Sequence, residues 1–315
     1  MAVGLVSKLQ NSAYRLSYLF VTMGRKRHTM QQTIANEILI NGVGLHSGVA
    51  SKLVLKPAAE NHGIVFKRTD INDFFPLKAL YSNVVDTQNC TCLGDKKGNT
   101  ISTIEHLMAA LSVMHVDNLL VEIDSPEMPI LDGAATIFWQ KLQQVGVKKQ
   151  NTPRKYIKIL QQVEFADDKG NKVSLEPADE FQINFTIEFP SKIVGHQEFC
   201  NSITEDIFIK EIAPCRTFCE KYQIDYLRSI GLIKGGSLDN AVVLDGETIL
   251  NPDGFRVKNE CVNHKVLDAI GDMYTAGFPI IGKLTAYKTG HYHNNQLLKR
   301  LFADNTNYQI IQKDK

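Results

Sequence analysis

From Gln32 onward the chain alternates short apolar stretches with Gly, Asn and Asp turn residues. Thr33 to Ile40, Ser51 to Leu55, Gly63 to Phe66 and Leu119 to Ile123 read as strands. Between the last two the period changes. Ser102 to Leu111 opens with hydroxyl residues and carries Glu105 three positions after Ser102, which predicts a capping-box start to an apolar helix. A second helix is predicted over Ala134 to Val145. Residues 148–155 (Lys-Lys-Gln-Asn-Thr-Pro-Arg-Lys) are polar, charged and Pro-containing, and mark the expected domain boundary. The pattern then restarts, with strands near Tyr156 to Phe165, Lys172 to Pro177 and Phe181 to Phe189 and a helix near Glu205 to Ile212. A long helix over Asn259 to Tyr274, a strand over Ile280 to Tyr287 and a helix over Asn294 to Phe302 complete it. Each half reads as strands first and helices after, an α+β signature rather than alternating βαβ units. A diverged duplication would produce such a pattern, although no residue-level repeat shows one.

Length and charge narrow the class. At 315 residues the chain is about twice the ~150-residue prior for one domain. Its 43% hydrophobic and 22% charged residues exclude collagen-like, coiled-coil and wholly disordered classes. A formal charge of +1 gives no global electrostatic case for nucleic-acid binding. That neutrality is uneven: residues 1–29 hold Lys8, Arg15, Arg25, Lys26 and Arg27 and no acid, which leaves −4 for the remainder. The favoured reading starts translation at Met30, or at Met23, with a disordered tail or an acid-poor targeting segment as alternatives. No window reaches the ~18 apolar residues of a membrane span. The six cysteines are too sparse for a disulfide framework and lack paired zinc spacing, so they read as buried, reduced thiols of a cytoplasmic protein.

Three segments concentrate histidines and acids. In His264 to Asp272, residues 264, 268 and 272 are spaced by four and line one face of a helix, with Val266, Leu267, Ala269 and Ile270 on the other. A His and an Asp one turn apart can reach one cation, with Asp272 placed behind them; the plainer reading is an exposed polar face. Glu105-His106 starts an otherwise apolar helix. If His106 binds a metal, Glu105 can lean toward a water on it, as a metal-assisted hydrolase requires, although the pair by itself is a weak signal. Finally, Lys288 to Asn295 places a lysine and two histidines at a strand-to-helix junction. There His291 is the candidate proton donor, and His293 reads as a solvated cap.

Taken together these segments resemble the UDP-3-O-acyl-N-acetylglucosamine deacetylase family, the zinc enzymes of the committed step of lipid A synthesis. The resemblance runs from about Gln32 to the C-terminal region. It is carried by Gly42-Val43-Gly44-Leu45-His46-Ser47-Gly48, Ser102-Thr103-Ile104-Glu105-His106-Leu107, Pro129-Ile130-Leu131-Asp132-Gly133, Arg216-Thr217-Phe218, Gly235-Gly236-Ser237, His264 to Asp272 and Gly290 to Asn295. It implies zinc, with Fe(II) as the alternative, on His106, His264 and Asp268, and a water in the open fourth position. Glu105 would be the base, and His291, held as imidazolium by Asp272, the acid and oxyanion stabiliser. Thr217 would donate a further hydrogen bond, and Lys265 and Lys288 would face the diphosphate of a UDP-sugar lipid precursor. The implied fold is two similar two-layer α+β domains, 30–150 and 155–315, forming a β-α-α-β sandwich with the site in the inter-domain cleft. An insert over about 217–243 would form an acyl passage through Phe218, Ile224, Gly236, Ser237 and Val243, residues that read as ordinary core without the family. Cys90 matches a position near the metal but is not needed as a ligand. A monomer in the cytoplasm of a Gram-negative bacterium is the implied setting.

Departures from the family pattern cluster at Val257 to Asn259, Cys261 to Asn263, Pro214-Cys215, Cys219-Glu220 and His293, where a Leu is usual. They bear on acyl fit and cleft packing rather than on catalytic groups. Two rivals stand beside this reading. A non-haem iron oxygenase shares the two-His-one-carboxylate set, but normally takes it from a barrel with a close His-x-Asp pair. A catalytically inert metal binder would not need Glu105 and His291.

Overall fold

A computed structural model describes residues 29–312. The expectations for the basic leader fall almost wholly on residues 1–28, outside the described residues. Helices of two turns or more are numbered α1 (Glu105–Val113), α2 (Thr136–Val145), α3 (Lys221–Ser229), α4 (Glu260–Tyr274) and α5 (His291–Ala303). The α+β reading holds.

Two five-stranded sheets frame the molecule. The first runs Ile38–Val43, Ala50–Pro57, Leu119–Ile123, Ile64–Arg68, Leu77–Lys78, and the second Val163–Ala166, Lys172–Glu176, Lys283–Tyr287, Gln182–Glu188, His196–Ser202. In both, neighbours pair antiparallel, antiparallel, parallel, antiparallel. The two halves therefore share one sheet topology, although no residue-level repeat relates them. In each half the central strand returns between two helices, α1 and α2 in the first and α4 and α5 in the second, because a parallel pairing needs a crossover. The strand residues alternate. Ile183, Phe185 and Ile187 are buried, whereas Glu188 is exposed, so one sheet face is packed.

The helices supply the other side of each core. Leu107, Met108, Ala110 and Leu111 of α1 join the cluster of the first sheet, whereas Ala109 and Val113 of the same helix join that of the second. Helix α4, equivalent to α1 in the other half, packs directly on it. Of its fifteen residues only Lys265 is not buried, so its apolar and polar faces are both interior. The approach is so close that a Cβ on Gly271 would lie 2.1 Å from the carbonyl oxygen of Glu105.

Several local expectations change. Thr33 to Ile40 is two strands, Met30–Ile34 and Ile38–Val43, because the first pairs with Val147–Pro153 outside the main sheet. That partner covers most of the polar stretch expected as the domain boundary; its polarity belongs to an exposed edge strand, and the chain changes sheets at buried Arg154, whose Nε donates to Asp117 at 2.7 Å. Tyr156 to Phe165 divides into Lys155–Ile159 and Val163–Ala166. Ile280 to Tyr287 divides at Gly282, where any side chain would meet Ile159 Cγ1 at 2.6 Å. Glu205 to Ile212 is one helical turn running into a π-type turn. The capping box does not form: Ser102 pairs with Glu127 in a β-bridge and donates to the Pro126 carbonyl, and Glu105 is engaged elsewhere. Not every thiol is buried, since Cys200 is exposed and Cys219 half-buried, but all six are free. No helix among the described residues is long and apolar enough to cross a membrane.

Gly271→Ala tests the helix crossing. Overpacking against a backbone carbonyl is expected to cost about 1–3 kcal/mol in urea unfolding, because neither helix can shift without moving its sheet.

Candidate active site

The crossing of α1 and α4 brings three side chains from distant parts of the chain together. His106 Nε2 and His264 Nε2 lie 3.7 and 3.4 Å from Asp268 Oδ1. All three residues are buried, with one ligand atom from each within 4.8 Å of the others. Among the described residues this is the one such group of His, Cys, Asp and Glu. Asp268 Oδ1 and His106 Nδ1 are buried without a hydrogen-bond partner. Leaving a buried carboxylate oxygen unpaired is costly, and tetrahedral ligands at 2.0–2.1 Å from an ion stand about 3.3 Å apart. The donor set therefore fits a divalent metal. Its second contacts suit that use. His264 Nδ1 faces the Cys215 carbonyl at 3.1 Å, which presents Nε2 as the lone-pair nitrogen, and Lys265 Nζ donates to Asp268 Oδ2 at 2.9 Å.

Electrostatics agree. Burial, reinforced by His264, pushes His106 down to about 3, and burial also lowers His264, so both imidazoles are neutral, the form that ligates. Burial opposes ionisation of Asp268, but the positive charge beside it, on Lys265 and His291, holds its carboxyl below the usual range.

Two further groups flank the ligands. Glu105 is 3% exposed, and burial raises its carboxyl to about 8, with His291 opposing and Asp268 and Asp272 adding to the rise. His291 is the first residue of α5 rather than part of a loop. Burial alone would depress it, yet the charge and hydrogen bond of Asp272, with Glu105 and Asp268 behind, hold it up at about 9. Its Nδ1 lies 2.9 Å from Asp272 Oδ2, which also accepts from Asn294 Nδ2 at 2.9 Å. Thr91 joins the two groups: its backbone N–H donates to Glu105 Oε2 at 3.0 Å and its hydroxyl to Asp272 Oδ1 at 2.5 Å.

Glu105, His106, Thr217, His264, Lys265, Asp268 and His291 line a small cavity of about 30 Å³. It shares Thr217, Lys265 and His291 with a larger one of about 710 Å³. Phe218, Ile224, Gly236, Ser237, Val243 and Lys288 all line the larger cavity. The residues around them form a β-α-β excursion, Phe218–Glu220, α3 and Val242–Asp245, with the two strands parallel. Lys265 is more tied than expected, with its Nζ on Asp268 and 5.7 Å from the Phe218 ring. Cys90 is buried, its thiol raised well above normal by burial, and it lines neither cavity. His293 is not a solvated cap. It is nearly buried, packs on Phe165 and pairs with Asp167 at 3.1 Å, because the helix starts three residues earlier than expected and turns it inward.

The profile of the family described as LpxC, UDP-3-O-acyl N-acetylglycosamine deacetylase, matches residues 31–303. The chain belongs to this deacetylase family. UDP-3-O-acyl-N-acetylglucosamine deacetylase of Vibrio parahaemolyticus is 46% identical over 277 residues, 87% of this chain and 90% of the relative. Those of Pasteurella multocida and Haemophilus influenzae are each 43% identical, over 90% and 89% of this chain and 93% and 92% of their own.

Sequence reasoning missed the residues that hold this site in place. Thr91 contacts Asp272 across 181 positions, and no local spacing announces it. Glu260, fully buried, accepts from the Arg216 backbone N–H and Nε, both at 2.9 Å, and from Arg256 N–H at 2.6 Å. This fixes Thr217 beside the first turn of the ligand helix. Only the Arg216-Thr217-Phe218 motif hinted at it. Glu260→Ala, which strands the buried Arg216 guanidinium, is expected to lose about 3–5 kcal/mol in guanidinium unfolding, and a paired Arg216→Met, Glu260→Leu variant to recover only part of it, because the Arg216 and Arg256 backbone N–H groups still lack their acceptor.

Proposed function

We propose that the chain hydrolyses the acetamide of a UDP-3-O-acyl-N-acetylglucosamine to the free amine and acetate, using a divalent ion on His106, His264 and Asp268, with zinc as the metal and Fe(II) as the alternative this donor set accepts. The observation that carries it is the convergence of Glu105 and His291 on the cavity beside the ligands, since holding an ion requires neither.

A bound ion there supplies Lewis acidity toward the amide carbonyl and lowers the pKa of water. Glu105, raised to about 8, is a proton acceptor matched to neutral pH and takes the proton of the attacking water. His291, held protonated near 9, stabilises charge building on the carbonyl oxygen and gives its proton to the nitrogen as the C–N bond breaks. Thr217 adds a donor at the same cavity, and Lys265 and Lys288 add positive charge for a diphosphate. An amide has a poor leaving group, so a base and an acid at one centre match its chemistry. The apolar wall of Phe218, Ile224 and Val243 receives the acyl chain. Cys90, which lines neither cavity, we keep as a buried neighbour of Glu105 and not as a ligand. This reading carries with it two domains, 30–150 and 155–315, related as the two sheets are, a monomeric enzyme, and a bacterial cytoplasmic setting.

Acetate release from UDP-3-O-acyl-GlcNAc by the purified chain with one equivalent of zinc is the direct test. Excess chelator, or Glu105→Ala, is expected to lower turnover by about 10²–10⁴-fold; near-normal turnover of Glu105→Ala would remove the base from this scheme. Because His291 acts protonated, kcat/KM falls as pH rises through its pKa. Asp272→Asn, which removes the charge that raises it, is expected to move that alkaline limb about 1 unit or more toward acid, measured as a pH–rate profile.

A further inference from the structure

We propose that Glu127 is a positioning residue for the acyl passage, acting through residues 44–48; the inference rests on the deacetylase reading, which gives the passage its ligand. Glu127 is 1% exposed and lies outside the catalytic group. Its Oε1 accepts the His46 backbone N–H at 2.8 Å and the Thr103 hydroxyl at 3.1 Å, and its Oε2 accepts the Ser47 N–H at 2.7 Å. The loop closes around this carboxylate so tightly that a Cβ on Gly44 would stand 2.4 Å from Oε2.

The other edge of the loop holds the insert. Lys234 N–H donates to His46 O at 3.2 Å and Gly235 N–H to Leu45 O at 3.0 Å. A Cβ on Gly235 would lie 2.2 Å from Gly44 O, so the two backbones touch with no side chain between them. Leu45 and His46 from this side, and Ile233, Gly236 and Ser237 from the insert, are walls of the 710 Å³ cavity. One buried carboxylate thus sets where the wall of the first half meets the wall of the insert. Through Thr103, held at φ 61° two residues before Glu105, it also ties that wall to the start of α1.

The chemistry requires an acceptor-only group. A Gln in this place would turn an NH2 toward backbone N–H donors and leave at least one buried donor unpaired. The loop would then relax away from the insert while the metal ligands, on α1 and α4, keep their places.

Glu127→Gln and, from the other side of the contact, Gly235→Ala should therefore act alike. With zinc content and thermal melting checked, each is expected to raise KM for a long-acyl substrate by about tenfold, with kcat within about threefold. The preference for long-acyl over short-acyl substrate should collapse by the same factor. A merely destabilised fold would instead lower kcat for both substrates together, and that outcome, or an unchanged long-to-short ratio in either variant, overturns the proposal. Binding of cis-parinaric acid to the full chain, followed by fluorescence, separates this from failure of the deacetylase reading. If wild type binds the fatty acid but releases no acetate, the reading falls. The positioning role then stands only if both variants bind the probe about tenfold more weakly, and equal affinity ends it.

Discussion

The contact on which the rest of the structure depends is the crossing of α1 and α4, where the absence of a side chain on Gly271 lets the helix meet the Glu105 carbonyl. The two helices occupy equivalent places in the two halves. Their crossing is therefore both the point where the two like-built halves meet and the place where one histidine from the first half meets a histidine and an aspartate from the second. A wider crossing would still bury the apolar faces, because the hydrophobic effect is non-directional. It would not keep Asp268 Oδ1 within 3.4 to 3.7 Å of two imidazole nitrogens.

Placing such a centre in a dry interior brings many polar groups with it, and three buried carboxylates each gather several of them. Asp272 takes Thr91, Asn294 and His291; Glu260 takes Arg216 and Arg256; Glu127 takes His46, Ser47 and Thr103. These carboxylates hold chain segments in register rather than add much net stability, since a buried ion pair about breaks even against an apolar replacement. Asp268 differs, because its unpaired Oδ1 is an atom that an ion held with His106 and His264 would satisfy.

The family's shared architecture allows local variation where chemistry is not at stake. The departures at Cys219-Glu220 and His293 sit on or beside the large cavity, and His293 finds its own partner in Asp167. The small cavity is lined instead by Glu105, His106, His264, Asp268 and His291. The excursion around α3 has no counterpart of the same build in the first half, where a three-stranded sheet of Val84–Asp86, Cys92–Gly94 and Thr100–Ile101 stands in the corresponding stretch of chain.

By itself the sequence determined what lies close along the chain. Alternation marked most strands, the 3.6-residue period marked α1, α2 and α4, and the spacing of His264, Asp268 and Asp272 placed them on one face. The motifs carried the family, and with it the assignment of His106 to the same centre. Where a local signal competed with tertiary pairing it lost: the capping box at Ser102 yielded to a bridge with Glu127. Only the tertiary structure decided that Thr91 bridges Glu105 and Asp272, that Glu127 accepts the His46 N–H, and that the polar face of α4 is interior. The reason is physical. Helix and strand periods are properties of neighbouring residues, whereas a contact between two halves depends on how closely two packed surfaces can approach, and at Gly271 a single missing Cβ sets that distance.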